Sequence, residues 1–499
     1  MSRQEQIISE RLRKLKELKA QEINPYPHKY DVNHYAYELQ ERYKNLKKGK
    51  KSQKKVSITG RIMNFRDLGK ISFGLLRDSS GEIQIVLQEK ETPPKTINFF
   101  KRYIDSGDFL GIEGIIYRTE RGELSVLVKK VVLLSKSILP LPEKWHSLQD
   151  KEERYRKRYL DLIMNSEVRE LFKKRNKIIS LIRDFFVREG FLEVETPILQ
   201  NVYGGASASP FKTHLNALDI DLFLAISPEL YLKRLIVGGY NKVFTICKNF
   251  RNEGIDRQHN PEFTMLEYYA ACENYEYHIK ITENLFNYLR KALKISEKID
   301  YQGKKINLKT PFKIVRFRNM ILKETGIDID KANSFESLKK QILIKNLKVS
   351  ESKNYSALLD ELYKRVVRPS IIQPTFLTHH PAEMIALAKR NEKDKTKINS
   401  VQLIVAGAEI IKAYEELNDP IEQEERLKEQ AKLLREGDEA AMPMDEDFIE
   451  ALKYGMPPTA GYGLGIDRLV MLLANQGSIR DVILFPFMKP IATSDIKEK

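Results

Sequence analysis

From Val56 to Leu134 apolar residues recur at alternate positions, in five runs separated by short polar turns. Val56, Ile58 and Ile62 mark the first run, and Ile71, Phe73 and Leu75 the second. Ile83, Ile85 and Leu87 follow a Ser79-Ser80-Gly81 turn, and Phe109 to Tyr117 joins Leu124 to Leu134 through Arg121-Gly122. A period of two sends one face of each strand into a core and the other into solvent. Five such strands in about 80 residues predict a small closed barrel of the OB type, or else a small β-sandwich.

The period changes on both sides of this block. Arg3 to Lys19 alternates charge with Leu12, Leu15 and Leu18, a narrow helical stripe that Asn24-Pro25-Tyr26-Pro27 ends. Leu46 to Lys55 is Lys-rich and reads as a linker. After Leu139-Pro140-Leu141-Pro142, the spacing of Val168, Leu171, Phe172, Ile178, Ile179, Ile182, Phe185 and Phe186 predicts a long amphipathic helix ending at Gly190. Residues 275–370 are helical in pattern, Lys-rich and without obvious chemistry, and read as an insertion. The expected organisation is a basic helical extension (1–50), a barrel (51–138), a linker (139–160) and a large second domain (161–499). The length of 499 residues suits about three domains.

Charge is unevenly spread. Lys and Arg number 85 against 69 Asp and Glu, and residues 1–60 hold 15 of the former and 7 of the latter, half of the net +16. Such a bias suits a polyanionic partner or a surface tuned for solubility. No apolar run approaches the ~18–20 residues of a membrane-spanning helix. The charged stretch after Met1 has no apolar signal core. Two cysteines, Cys247 and Cys272, exclude a disulfide framework and a Cys-rich zinc site. A cytoplasmic protein is expected.

Three later segments carry chemistry. Gly190-Phe191-Leu192-Glu193-Val194-Glu195-Thr196-Pro197 is a helix end, a strand and a closing proline. Phe250-Arg251-Asn252-Glu253-Gly254 and His259-Asn260-Pro261-Glu262-Phe263-Thr264-Met265-Leu266-Glu267 read as two strands around a charged loop. Arg251 and Glu253 share a parity, as do Glu267 and Tyr269, so each pair faces one side. Such a face suits a nucleotide, with guanidinium on phosphate and an aromatic on the base, or a salt-bridged sheet. In Gly461-Tyr462-Gly463-Leu464-Gly465-Ile466-Asp467-Arg468 the third glycine of a dinucleotide fingerprint is replaced by Arg468. A glycine-rich strand running into a helix that begins with arginine suits polyphosphate instead. No P-loop motif is present.

In this order the three segments resemble motifs 1, 2 and 3 of the class II aminoacyl-tRNA synthetases. Asn24-Pro25-Tyr26-Pro27, Ile226-Ser227-Pro228-Glu229-Leu230-Tyr231-Leu232-Lys233-Arg234-Leu235, His259 to Glu267 and Glu416-Leu417-Asn418-Asp419-Pro420 resemble the lysyl-tRNA synthetases of subclass IIb. The resemblance spans nearly the whole chain. It implies an α+β fold: an antiparallel sheet flanked by helices, preceded by a five-stranded OB-fold that binds the anticodon. It implies activation of L-lysine by ATP to lysyl-adenylate, then transfer to the 3′ end of tRNA(Lys). It implies a homodimer, with the interface around Pro197, and Mg²⁺ accompanying ATP.

The resemblance also assigns residues. Arg251, Arg468 and Glu409 would be catalytic. Arg251 would meet the α-phosphate and Arg468 the γ-phosphate; Glu253 would face the adenine amino group and Phe263 its ring. His259 and Asn260 would line the phosphate path. Gly205, Glu229, Glu267, Tyr269 and Glu416 would bind lysine, with Glu229 at the α-amino end. Glu409, more weakly Gln402, and Glu416 would ligate metal. In the barrel, Phe73 and Gln84 would contact anticodon bases, and Arg61 or Arg66 phosphate.

Some positions depart from that family's pattern. Gln402 stands in place of a glutamate, Lys412 of an asparagine, Ala225 of an arginine, Ser209 of a basic residue, and Ile385-Ala386 of Ser-Pro. A cation is lost at 225, an anion at 402, and a cation is gained at 412. If these are linked, Mg²⁺ dependence at one site weakens while lysine discrimination stays normal. The competing functions are a relative that lysylates another acceptor or makes dinucleoside polyphosphates, and a tRNA-binding paralogue with reduced or altered catalysis.

Overall fold

The computed structural model describes residues 2–142, 150–350, 352, 354–438 and 441–490, in two compact units divided after residue 149. Part of the expected linker, 143–149, lies outside the described residues.

In the first unit the helices are α1 (Arg3–Ala20), α2 (Ala36–Arg42) and α3 (Pro94–Tyr103). The strands are β1 (Lys51–Asp67), β2 (Ile71–Arg77), β3 (Glu82–Gln88), β4 (Phe109–Arg118) and β5 (Leu124–Ser135), closed into a barrel in the order β1-β2-β3-β5-β4. The alternation read in the sequence is the alternation of burial: Val56, Ile58 and Ile62 face inward, as do Ile83, Ile85 and Leu87. In β2 the parity is the reverse of a core Phe: Ser72, Gly74 and Leu76 are inside, and Phe73 is half-buried on the outer face.

Two expectations about this unit are corrected. The first 50 residues are not a separate extension, because Leu18, Ala36 and Leu39 are buried in the barrel's own core cluster. Arg11 is tied in as well, its guanidinium donating to the carbonyls of Ser106, Ser137 and Leu139. The Lys-rich linker ends early, since Lys51 already begins β1; extended lysines beside β-branched residues are an ordinary solvated strand end. Helix α3 escaped the period-two reading; Pro94 starts it, and Phe100 and Tyr103, three apart, enter the core.

The second unit begins at Asp150. Helices α4 (Lys151–Arg156) and α5 (Arg158–Met164) occupy the rest of the expected linker. Arg158 is buried there, bonded to Asp161 and to the carbonyls of Leu484 and Arg480. Then come α6 (Ser166–Arg188), β6 (Leu192–Glu193), a small sheet of β7 (Leu199–Gln200), β8 (Lys212–Leu215) and β9 (Ile220–Leu224), α7 (Glu229–Val237), β10 (Lys242–Phe250), β11 (Glu262–Ala271) and α8 (Tyr275–Leu293). A hairpin of β12 (Lys298–Tyr301) and β13 (Lys304–Asn307) leads to β14 (Lys313–Arg316), α9 (Phe317–Thr325), α10 (Phe335–Ile344) and α11 (Tyr355–Leu362). The chain closes with β15 (Thr375–Thr378), β16 (Ser400–Val405), β17 (Ala408–Glu415), α12 (Pro420–Arg435), α13 (Glu446–Lys453), β18 (Thr459–Gly465) and α14 (Ile466–Leu473).

Eight strands form one sheet in the order β14-β15-β16-β17-β18-β11-β10-β6, antiparallel except at its two ends. Helices α6, α8 and α14 cover one face, burying Ile178, Ile182, Phe186, Leu285, Phe286, Leu469 and Val470 against Tyr268, Leu403, Ile411 and Tyr462. The expected insertion is therefore smaller than 275–370. Helix α8 belongs to the core layer and β14 to the main sheet; only α9 to α11 and their surroundings form a cluster of their own. An amphipathic helix has the same sequence pattern whichever surface receives it.

Candidate active site

The face of the sheet away from those helices holds the site. Its floor is β18, whose sequence now explains itself. Tyr462 and Leu464 point into the core, whereas Gly461, Gly463 and Gly465 alternate on the open side. A Cβ on Gly461 would fall 1.8 Å from Glu416 Oε1 and 2.6 Å from the Tyr269 ring. The strand is glycine-rich because its neighbours' side chains need that space.

Across this floor the registers set side chains in rows. Gln402, Lys412, Gly463 and Glu267 are successive partners on β16, β17, β18 and β11. Tyr414, Gly461 and Tyr269 form the next row.

At one end the pocket is anionic. Glu229, at the start of α7, Glu267 and Glu416 are all buried. Glu229 accepts from the Tyr414 hydroxyl at 2.8 Å, and Glu267 from the Ser227 hydroxyl at 3.0 Å. Lys233, one helical turn after Glu229, lies 2.6 Å from Glu229 and 2.5 Å from Glu416 with its side chain wholly buried. Neither oxygen of Glu416 has a well-aligned hydrogen-bond donor among the described residues. Burial, then the Glu229 charge, push the Glu267 carboxyl up to about 8. Burial drives Glu416 well above the carboxylate range even against Lys233. Gly205, at φ +83°, runs past this end; a side chain there would strike Glu229 and Ser227.

The other end is cationic. The Arg251 guanidinium lies 5.1 Å from the centre of the Phe263 ring and donates to the Ile226 carbonyl. Arg468, in the first turn of α14, donates to the Glu409 carbonyl and sits 3.1 Å from His259 Nε2. His259 Nδ1 is held 2.8 Å from Asp256. Asn260 donates to the Glu262 carbonyl, and its own side-chain oxygen is buried without a partner among the described residues. Glu253 is exposed on the loop between β10 and β11. Asp467 anchors the turn into α14, accepting from the Thr264 amide at 2.7 Å and pairing with Arg175 at 2.6 Å.

The expected metal ligands are brought together only in part. Glu409 and Gln402 are in contact, but through the Gln402 amide nitrogen, while the Gln402 oxygen accepts from Tyr363 at 2.7 Å. Glu416 cannot join them, because seven residues of chain, about 20 Å in extended form, separate it from Glu409. Among the described residues no three His, Cys, Asp or Glu side chains converge as a metal ligand set. Ala225 is buried and its backbone is paired with Ile198 and Phe250, so of the three exchanged positions only Gln402 and Lys412 face each other. The Ser209 carbonyl accepts from the Asn252 amide, and Ala386 O accepts from Arg426.

Sequence reasoning missed Lys233, Ser227 and Tyr414. Lys233 was legible as the i+4 partner of Glu229, and Tyr414 as the residue between Lys412 and Glu416 in a period of two. Ser227 gave no signal of its own.

Two families match this chain. The one described as tRNA synthetases class II (D, K and N) matches residues 150–489, and an OB-fold nucleic acid binding domain matches 56–134. A lysine–tRNA ligase of Fervidobacterium nodosum is 44% identical over 488 residues, 98% of this chain and 95% of the relative. One of Thermotoga maritima is 45% identical over 486 residues, covering 96% and 95%. One of Aquifex aeolicus is 50% identical over 438 residues, covering 87% and 73%. The chain belongs to the lysine–tRNA ligase family of class II tRNA synthetases. The barrel and the eight-stranded sheet are thus the OB-fold and the synthetase domain of that family. No helix among the described residues is long and apolar enough to cross a membrane.

Proposed function

We infer that this chain is a lysine–tRNA ligase: it activates L-lysine with ATP and passes the lysyl group to the terminal ribose of tRNA(Lys). The observation that carries the substrate is the charge count of the pocket. Glu229 and Glu416 share one internal cation, Lys233, and Glu267 is met by the Ser227 hydroxyl. Two carboxylates remain for a ligand to neutralise, and lysine brings two ammonium groups. Aspartate or asparagine, with a single ammonium group, would leave one of those anions unpaired, which a buried site does not tolerate.

In the first step a lysine carboxylate oxygen bonds to the α-phosphorus of ATP, supplied as its Mg²⁺ complex. The bond to the bridging oxygen breaks, and pyrophosphate leaves. No proton moves and no enzyme nucleophile is needed, so positioning and electrostatics supply the rate. Arg251 takes the α-phosphate, with Phe263 beneath it as the adenine platform; Glu253 reads the amino group from the loop. Arg468 takes the γ-phosphate, and His259 and Asn260 line the path between. Glu409 holds Arg468 in place. In the second step a terminal ribose hydroxyl of tRNA attacks the lysyl carbonyl, the carbonyl–phosphate oxygen bond breaks, and AMP leaves with the hydroxyl proton passing to its phosphate or to solvent. The outer face of the barrel carrying Arg66, Phe73 and Gln84 reads the anticodon. The cytoplasm and a homodimer formed around Pro197 complete the proposal.

Lysine-dependent exchange of pyrophosphate into ATP tests it, with aspartate, asparagine and no amino acid as controls. Exchange with lysine alone is expected. Exchange with none of them, from folded protein that still binds tRNA, favours a tRNA-binding paralogue.

A further inference from the structure

Lys412 is the one charged side chain of the floor row that the mechanism above leaves unused. It is exposed, and among the described residues it has no hydrogen-bond or ion-pair partner. The other cations of the site are engaged. Lys233 is held by two glutamates, Arg251 by a carbonyl and the Phe263 ring, and Arg468 by the Glu409 carbonyl.

Its position is set by the sheet. Lys412 faces Gln402 on one side and Gly463 on the other, and Glu267 lies beyond Gly463. Gly463 contributes no side chain, so the space over it is bounded by Lys412 and Glu267. That space lies between the anionic pocket and the cationic end. Gln402, the cross-strand partner of Lys412, contacts Glu409, whose carbonyl accepts from Arg468. The Lys412 side of that space therefore adjoins the cationic end, whereas Glu267 belongs to the lysine end. A ligand with its ammonium groups against Glu229, Glu267 and Glu416 brings its carboxylate over Gly463, where it must meet the α-phosphate. Two anions in close approach need a cation between them.

Resting on the reading of this site as a lysine-activating one, we propose that Lys412 is a catalytic residue, the fixed cation at the junction of the lysine carboxylate and the α-phosphate. Its ammonium touches both groups. It supplies there the charge that a protein-held divalent ion would supply, in a site whose Gln402–Glu409 contact leaves no ligand set for one. The metal that enters is the one ATP carries.

Full-length protein with Lys412→Met, which keeps the alkyl stem, and Lys412→Arg, which keeps the charge, separates the possibilities. In lysine-dependent exchange, Lys412→Met should lose about 100-fold in kcat/KM and Lys412→Arg should recover most of it. Affinity for a nonhydrolysable lysyl-sulfamoyl adenosine should fall by a similar factor in Lys412→Met. Affinity for L-lysinol, which has both ammonium groups and no carboxylate, should stay within threefold, a pattern that misfolding would not give. Equilibrium dialysis of Mn²⁺ with a nonhydrolysable ATP analogue should find one ion per bound nucleotide in the parent protein. Exchange and analogue affinity in Lys412→Met within threefold of the parent, or two or more Mn²⁺ per nucleotide, overturn the proposal. Failure of the parent protein to exchange with lysine counts against the activity itself; the analogue and lysinol affinities then still decide the role of Lys412.

Discussion

The ammonium of Lys233 lies 2.5 Å from the carboxylate of Glu416, and neither side chain reaches solvent. Lys233 also meets Glu229 at 2.6 Å, so one internal cation steadies two of the three carboxylates of the pocket. Bringing three anions together in a buried space is unfavourable without such a group. The fold thus carries a part of the compensation itself and leaves the remainder to the ligand.

Removing that cation should be costly. Lys233→Met leaves Glu229 and Glu416 buried without their partner, and a broken buried pair costs about 3–5 kcal/mol. Urea unfolding of the full chain reads this as a lower midpoint. The double variant Lys233→Met/Glu416→Gln should recover a substantial part, because it removes one stranded charge as well. A single variant within about 1 kcal/mol of the parent would mean that the pair is not what holds this end of the pocket.

Lysine affinity should depend on pH through Glu267. Its carboxyl titrates near 8 in the ligand-free protein, so at neutral pH it is mostly protonated. A bound ammonium needs the carboxylate, and binding therefore expels a proton. Affinity should improve by about tenfold per pH unit as pH rises toward 8, then level off. Calorimetry in buffers of different ionisation enthalpy would detect the released proton. For stability the sign is the reverse. The folded protein binds this proton more tightly than the unfolded chain does. That contribution is fully present below about 4.5 and is lost as pH rises through about 8. Ligand-free protein should accordingly melt lower at pH 8.5 than at pH 6 as far as this group is concerned. Glu267→Gln should flatten both profiles; an unchanged slope in that variant would assign the proton elsewhere.

Gly461 and Gly463 of the floor should not be equivalent. An alanine methyl at 461 meets a buried carboxylate oxygen and an aromatic ring on opposite strands, neither of which can withdraw. Gly461→Ala should raise the lysine KM by about two orders of magnitude, or displace Glu416 outright. At 463 the nearest atom is the flexible end of Met265, 3.1 Å away, so Gly463→Ala should cost about tenfold or less. Steady-state exchange kinetics on both variants compares them directly.

Much of this was legible beforehand. The barrel was readable because period-two alternation and burial are the same fact seen twice. The carboxylates and arginines of the cleft were readable through motif order, since their contacts span distant segments such as Glu267 with Ser227 and Arg468 with His259. The sequence marks β18 as a glycine-rich strand running into a helix suited to polyphosphate, and the structure adds that Gly461 makes room for Glu416 and Tyr269. That role follows from register, which sets β18 between β17 and β11 and which no local pattern encodes. The Lys-rich stretches misled in a consistent way. Lysine is tolerated on any solvated face, so its runs marked neither a linker at 46–55 nor an insertion boundary at 275.

The barrel residues divide along the same line, and their variants should behave differently. Arg66 and Phe73 are direct cross-strand partners on β1 and β2, and Gln84 lies on the adjoining strand. Arg66 has no ion-pair or hydrogen-bond partner among the described residues. Gln84 accepts from Ser125 at 3.0 Å, which fixes its amide without using its donors. Arg61 is committed inside the protein, donating to the Gly107 carbonyl and stacked 4.3 Å from the Phe109 ring centre. If the outer face holds single-stranded anticodon bases, Phe73→Ala removes a stacking platform and should weaken tRNA binding by about 1–3 kcal/mol. Arg66→Ala should weaken it too, and should lower the slope of log affinity against log salt by about 0.7, the loss of one phosphate contact to a single strand. Arg61→Ala should leave that slope unchanged and lower the melting temperature instead, because it opens a contact between β1 and β4. All three belong to the first unit and the lysine and ATP residues to the second, so lysine-dependent exchange should stay at the parent rate in all of them. A salt slope lowered by Arg61→Ala and not by Arg66→Ala would move the anticodon site to the other side of β1.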